Sequence, residues 1–362
     1  MMKLKIALSI ALMVAGFSMV AQDDGDGKFN ARVIKVNNNV YMLQGRGGNI
    51  GISIGVDGIF MIDNQFDEAV EENLKRIQSL KNVPVKFLVN THHHGDHTGG
   101  NSKMAKTGTT IISHENARSR LVNIIKNSEE QTDGEQLPVI TINEDMTFYY
   151  NGEEIEVFHV KNAHTDGDVM IYFSRSNVLH TGDVFFSKRY PYIDVKNGGS
   201  VDGYITALGT AIKKINASTK VIPGHGDIAA VSDLQYSQQM LSDIQEAVFK
   251  QYGMGKTLEE VLAMTNITAK YDAQGFGDHF ITNQEILRIM YENADAELGE
   301  EMKQRERDLQ DIEDIKKKHE DTKAKKDQAL KNQELKLKNS PSNEEMQKIK
   351  DKMKEDGDGG GL

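Results

Sequence analysis

The stretch "NTHHHGDHTGGN", residues 90–101, gathers His92, His93, His94, Asp96 and His97 into six positions framed by glycines. It fits the pattern H-x-H-x-D-H through His92, His94, Asp96 and His97. Two histidines two apart on a strand-end loop can converge on one cation. An aspartate and a histidine immediately beyond can serve a second cation a few ångströms away. Neutral imidazole is the usual nitrogen ligand of zinc, with bonds of about 2.0–2.1 Å. Gly95, Gly99 and Gly100 let the backbone turn tightly enough to aim successive side chains inward. A solvated polar loop would account for the triple histidine alone, but not for Asp96-His97-Thr98-Gly99-Gly100 attached to it. By alternation His93 points away from the metals.

Four ligands leave such a site incomplete, and other strand ends supply more. Upstream, "VKFLVNT" reads as a buried strand that ends at the histidines. Downstream, "KNAHTDGD" offers His164 after the strand "EIEVFHV", "LHTGDVFF" offers Asp183 after "NVL", and "VIPGHGD" offers His225 after "KVI". Around these, residues 31–235 alternate short apolar strands with helical stretches such as "FDEAVEENLKRIQSLK" and "DGYITALGTAIKKI". "NIGISIGVDGIFMIDN" reads as a hairpin turning at Asp57-Gly58. The alternation predicts layered α/β packing with polar chemistry at strand ends.

With these motifs in this order, residues 30–235 resemble the metallo-β-lactamase-fold hydrolase superfamily. The resemblance implies a four-layered αββα sandwich of α/β class with a dinuclear site at one edge. It implies that His92, His94 and His164 bind one metal, that Asp96, His97 and His225 bind the other, and that Asp183 bridges them. Asp63, closing "GIFMID", matches the family's strand-end aspartate that supports the histidine loop. Two Zn2+ per chain are expected, with iron or manganese as alternatives for an oxygen-bearing bridge. Such a pair ionises a shared water to attack a carbonyl or phosphoryl centre, with Asp96 orienting it and shuttling a proton.

The remaining histidines have plainer readings. His159 and His180 read as packing or supporting residues, His114 as a helix cap, and His279 and His319 as surface residues.

The composition narrows the function classes. The 362 residues hold 43 basic and 54 acidic side chains, a formal net charge of −11, which disfavours a nucleic-acid backbone as partner. With no cysteine, disulfides, thiolate ligands and cysteine nucleophiles are excluded. Residues 1–21 read as a secretory signal: Lys3 and Lys5, an apolar run from Ile6 to Val20, then Ala21. The expected protein is exported, periplasmic or extracellular, with no stable membrane span after cleavage. Its domains are expected to be a signal peptide (1–21), the metal-binding domain (22–235), a helical extension (236–300) and a charged, low-complexity tail, helical or disordered (301–362). In that tail 16 acidic residues balance 16 basic ones. Leu309, Ile312, Ile315, Leu330, Leu335 and Leu337 do not sustain a heptad.

Substrate identity is less legible. Export favours a β-lactamase-like hydrolase. Against it, lactamases with a mixed site carry Cys in place of Asp183, and usually Lys three positions later, where this chain has Phe186. Lys188 or Arg189 is the candidate anchor for an anionic substrate, and Asn197 for polarising a carbonyl. An aspartate bridge resembles instead the hydroxyacylglutathione hydrolases, lactonases and phosphodiesterases. A lactonase calls for a site tyrosine, for which Tyr190 and Tyr192 are candidates, with loop packing as the alternative. Tyr271, Phe276 and Phe280 are read either as core or as entrance lining. A non-catalytic metal-binding or scaffold protein is the reading from another class. The expected partner is a small-molecule substrate; the helical extension is expected either to pack across the site or to form a homo-oligomer contact, and the tail's partner is unidentified.

Overall fold

Every residue of the segment Ile50–Ile54 is buried, as expected of a central strand covered on both faces. The computed structural model describes residues 31–128, 134–338 and 343–355, so the signal pattern at 1–21 lies outside the described residues. One sheet runs in sequence order: β1 Arg32–Asn37, β2 Val40–Gln44, β3 Ile50–Ile54, β4 Ile59–Ile62, β5 Val85–Val89, β6 Thr110–His114 and β7 Ile140–Ile142. The first four strands form an antiparallel meander, and β4 to β7 are parallel. Parallel neighbours need crossovers, which the helices Val70–Leu80, Asn101–Lys106 and Glu115–Asn127 supply.

The second sheet has the order β13-β12-β11-β10-β9-β8, from β8 Asp145–Tyr150, β9 Glu153–His159, β10 Val169–Phe173, β11 Val178–His180, β12 Lys220–Ile222 and β13 Ala229–Ala230. Between β8 and β9, Asn151 and Gly152 both have positive φ (54° and 74°), the two-residue turn that suits hairpin twist. The parallel step from β11 to β12 crosses through the helix Val201–Lys214, whose first turn Ser200 caps by accepting from Gly203 N at 3.0 Å.

Three apolar seams separate four layers. Val70, Ile77 and Met104 pack under the outer face of the first sheet against Ile52, Met61 and Leu88. Phe60, Ile62 and Val89 meet Val157, Ile171 and Phe173 between the sheets. Leu179 and Val221 face Tyr204, Leu208, Leu241 and Ile244 on the other side. Each such side chain contributes about 1.5–3 kcal/mol on burial. The chain therefore forms the αββα sandwich implied by its motifs. Gly51 on β3 permits a close approach of the sheets, since a Cβ there would lie 2.7 Å from Cδ2 of His180 on β11.

Beyond residue 230 every element among the described residues is a helix. The helix Val231–Gly253 and residues Ile286, Leu287 and Met290 join the seam over the second sheet. The chain divides after residue 296 into two compact units. The helix Asn283–Lys338 runs for 56 residues, and Asn343–Glu355 forms another. Leu309, Ile312, Ile315, Leu330 and Leu335 are all exposed. Among the described residues no helix is long and apolar enough to cross a membrane.

Candidate metal centre

Strand exits converge on one point. β4 ends at Asp63, a buried residue at φ +59°, whose Oδ1 accepts from Thr91 N (2.7 Å). Its Oδ2 accepts from Thr91 Oγ1 (2.8 Å) and faces His97 Nδ1 (2.7 Å). Asp63 thus staples the loop leaving β5 and the single helical turn Gly95–Thr98 to its own strand. His164 comes from the β9–β10 loop, Asp183 from the turn Gly182–Val184 after β11, and His225 follows β12. The backbone comes in close here, because a Cβ on Gly224 would lie 2.1 Å from Asp183 Oδ1.

The outer nitrogens decide the tautomers. His97 Nδ1 faces the Asp63 carboxylate, His164 Nδ1 the Tyr192 carbonyl oxygen (2.8 Å), and His94 Nε2 the Asp194 carboxylate (2.9 Å). These acceptors have no proton to give, so each ring nitrogen donates. Thr91 Oγ1 spends its proton on Asp63, so His92 Nδ1, 3.1 Å away, donates as well. A neutral imidazole with one nitrogen protonated carries a lone pair on the other. Wherever these rings are neutral, the lone pairs therefore sit on His92 Nε2, His94 Nδ1, His97 Nε2 and His164 Nε2, all turned inward. His94 Nδ1 and His164 Nε2 stand only 2.9 Å apart, a contact that needs either a shared proton or a cation between them.

The carboxylates make the same demand. Asp183 Oδ2 lies 3.8 Å from His92 Nε2 and 3.6 Å from His164 Nε2. Its Oδ1 lies 3.1 Å from His97 Nε2 and 3.5 Å from His225 Nε2. Asp96 Oδ2 is 3.5 Å from His97 Nε2 and 3.2 Å from His225 Nε2. His92 Nε2, His97 Nε2, both Asp183 oxygens and Asp96 Oδ1 are buried with no hydrogen-bond partner among the described residues. Orphaned buried polar atoms are costly unless something absent from the chain satisfies them. Burial alone lowers His97, yet Asp183, Asp96 and Asp63 outweigh it and raise the imidazole well above its usual value. Burial also opposes His225, where Asp183 and Asp96 win and lift it to about 9. His164, with burial dominant, falls to about 4. The side with His97 and His225 draws in positive charge, whereas burial keeps His92 and His164 as neutral nitrogen donors. That donor set, imidazole with carboxylate, fits divalent zinc and its neighbours.

His92, His94, His164 and Asp183 offer ligand atoms within 4.8 Å of one another, and so do Asp96, His97 and His225. A family model described as the metallo-beta-lactamase superfamily matches residues 35–228. The chain belongs to the metallo-beta-lactamase superfamily. It is 27% identical over 149 residues to a hydroxyacylglutathione hydrolase of Pelagibacter ubique, covering 40% of this chain and 53% of that relative. The chain thus spans about half the length of that relative. Identity to a metallo-beta-lactamase type 2 of Elizabethkingia meningoseptica is 21% over 255 residues, 68% of this chain and 97% of the relative. The fold is shared with a metallo-beta-lactamase from Pontibacter korlensis (TM-score 0.50, 22% identity, 59% of this chain and 99% of that one). It is shared too with a double mutant of the sec-alkyl sulfatase PisA1 (TM-score 0.59, 17% identity, 72% of this chain and 50% of that one).

Around this superfamily site, the other side chains singled out in the sequence fall into different settings. Tyr190 is buried and gives its hydroxyl to Asp272 Oδ1 (2.7 Å), so it cannot serve as a site tyrosine. Asn197 is held at both ends of its amide, giving one Nδ2–H to Asp194 and taking Arg120 at Oδ1. Lys188 is exposed and holds a left-handed backbone (φ 54°). Tyr271 and Phe276 are core residues, whereas Phe280 is exposed with its ring 6.1 Å from that of Tyr192. Tyr192 in turn lies beside His94 and His164, at 6.1 and 5.8 Å between ring centres. His180 supports the Asp183 turn by accepting from Gly182 N and facing Asn49 O. His93 is buried, and it forms a third cluster with His94 and Asp194. Asp194, in "YIDVKNGG", escaped the sequence reading because nothing in its spacing separates it from an ordinary loop aspartate.

Proposed function

We propose that this protein is a hydrolase in which His92, His94, Asp96, His97, His164, Asp183 and His225 hold two divalent cations, zinc foremost, for cleavage of a carbonyl or ester-like bond. One arrangement carries the reading: Asp183 turns one oxygen toward His92 and His164 and the other toward His97 and His225. A single carboxylate so placed serves two sets of inward nitrogens. Iron or manganese suits the same donors. When bound, such a pair supplies Lewis acidity and brings the ionisation of water near neutrality.

The chain's own groups supply the rest. Asp96 Oδ1, buried and unpartnered, is placed to accept a proton and return it to a leaving group. Phe186, 5.0 Å from the His225 ring, and Tyr192, on the His164 side, wall the cluster with apolar surface. The named relatives act on an acylglutathione and on β-lactams, which supports acyl transfer to water, β-lactamase-like in type. Lactone, thioester and phosphodiester cleavage are the alternatives within the superfamily. The pattern of residues 1–21 supports an exported protein.

The test is turnover of a chromogenic panel (β-lactam, lactone, thioester, phosphodiester) by the zinc-loaded protein. Activity on at least one ester-like bond is expected, abolished by chelation and reduced about 10²–10⁴-fold in Asp96→Ala. Two bound ions with no turnover of any probe would favour a metal-binding scaffold instead.

A further inference from the structure

A line of hydrogen bonds runs from helix Glu115–Asn127 to His94. Arg120 grips Asp166 through Nε (2.8 Å) and Nη2, and donates Nη1 to Asn197 Oδ1 (2.6 Å). Asn197 Nδ2 donates to Asp194 Oδ2 (2.6 Å), the same oxygen that meets His94 Nε2. Backbone bonds hold the line in register: Asn197 N to Asp194 Oδ1 (3.2 Å), Asp166 N to Asn197 O (3.1 Å), and Asp194 N to His164 O (2.9 Å).

The direction of this line is fixed at its far end. A guanidinium has donors and no acceptor, so the atom of Asn197 facing it must be the amide oxygen. The amide nitrogen is then forced toward Asp194, which receives it as a carboxylate. An ionised carboxylate can only accept, so His94 must present Nε2–H to it and keep its lone pair on Nδ1.

We propose that Asp194 is the positioning residue of His94, and that Arg120, acting through Asn197, fixes the His94 lone pair on the Nδ1 that faces His164 and the cluster. The inference rests on the reading of His94 as a metal ligand. Outer partners of this kind orient metal-binding imidazoles, and losing one costs about 10–100-fold in metal affinity.

Two measurements on the full chain separate the inference from the reading beneath it. The first is the His94 tautomer in the cation-free protein, by long-range nitrogen–proton NMR. Wild type is expected to show Nε2–H. Asp194→Ala is expected to populate Nδ1–H, Arg120→Met to do so partly, and Asp194→Asn, which keeps an acceptor oxygen, to restore much of the wild-type state. The second is cobalt titration read in the visible spectrum. Asp194→Ala is expected to weaken one of two ions about 10–100-fold and spare the other. An unchanged tautomer in Asp194→Ala, or equal weakening of both ions, would overturn the inference. His93→Ala that removes an ion would also overturn it, by making Asp194 a ligand rather than a positioner. Wild type that binds no cobalt while keeping His94 as Nε2–H would overturn only the metal reading.

Discussion

Gly48 and His97 are in direct contact: a Cβ on Gly48 would lie 2.1 Å from Cε1 and 2.4 Å from Nε2 of the imidazole. Neither side can give way. His97 is fully buried and tied to Asp63, while Gly48 N donates to Asp96 O (3.1 Å) and its carbonyl accepts from Gln65 Nε2 (2.7 Å). Gly48→Ala is therefore expected to push His97 Nε2 away from Asp96 and Asp183. Overpacking of this kind costs about 1–3 kcal/mol. Cation affinity should fall at least tenfold, as when an outer partner is lost. Thermal melts and a cation titration check both, and wild-type affinity in the variant would refute the argument.

A stacked histidine pair away from the cluster makes a pH prediction. The rings of His114 and His159 lie 3.8 Å apart at 14°. His114 caps its helix by accepting from Asn116 N, and His159 Nδ1 faces Asp168 O at 2.8 Å. Burial lowers both imidazoles below their ordinary value, and for His159 the neighbouring His114 adds to it. The folded state then binds fewer protons than the unfolded chain. The stability from this pair is complete above an unfolded value of about 6.5 and is lost as pH falls below it. His159→Phe keeps a ring in the stack that cannot charge. Its melting temperature is expected to drop less between pH 7 and pH 5 than that of the wild type, both metal-loaded. Parallel curves would contradict this.

What the sequence made legible follows a physical division. His92, His94, Asp96, His97, His164, Asp183 and His225 stand beside glycines at strand exits, where side-chain type and spacing are themselves the signal. The strand β3 was readable for the same reason, as an apolar run ending in a turn residue. Asp194, Arg120 and Gly48 carry no such signal. Their roles arise from contacts spanning tens of residues, which local spacing does not encode. Leu80 shares the helical period of Val70 and Ile77, yet it is exposed because the helix Val70–Leu80 ends there.

Phe280 forms the outer edge of the aromatic wall. It is 51% exposed, and its ring stands edge-on to Tyr192, which flanks His94 and His164. Removing an exposed ring changes stability by no more than about 0.5 kcal/mol. Phe280→Ala is expected to leave cation content unchanged and to raise KM several-fold for esters with a bulky apolar group. Chromogenic esters with small groups should be unaffected, and kcat should hold for both, as for an interaction made equally in ground and transition states. Identical KM values for bulky and small esters would remove Phe280 from the substrate path.

Tyr190 makes the opposite prediction. Its ring is buried beside Phe276, with 5.9 Å between ring centres, and its hydroxyl donates to Asp272 Oδ1 at 2.7 Å. Burial pushes the phenol well up, and the Asp272 bond adds to it, so the hydroxyl stays protonated and committed to that carboxylate. Tyr190→Phe removes a hydrogen bond to a charged acceptor, a loss of about 1.5–3 kcal/mol. The ring keeps its place, so the loop carrying Tyr192 and Asp194 does too. The variant is expected to melt earlier while binding cations and turning over substrate like the wild type. A fall in kcat at unchanged stability would mean that the hydroxyl leaves Asp272 during turnover and works at the metal cluster.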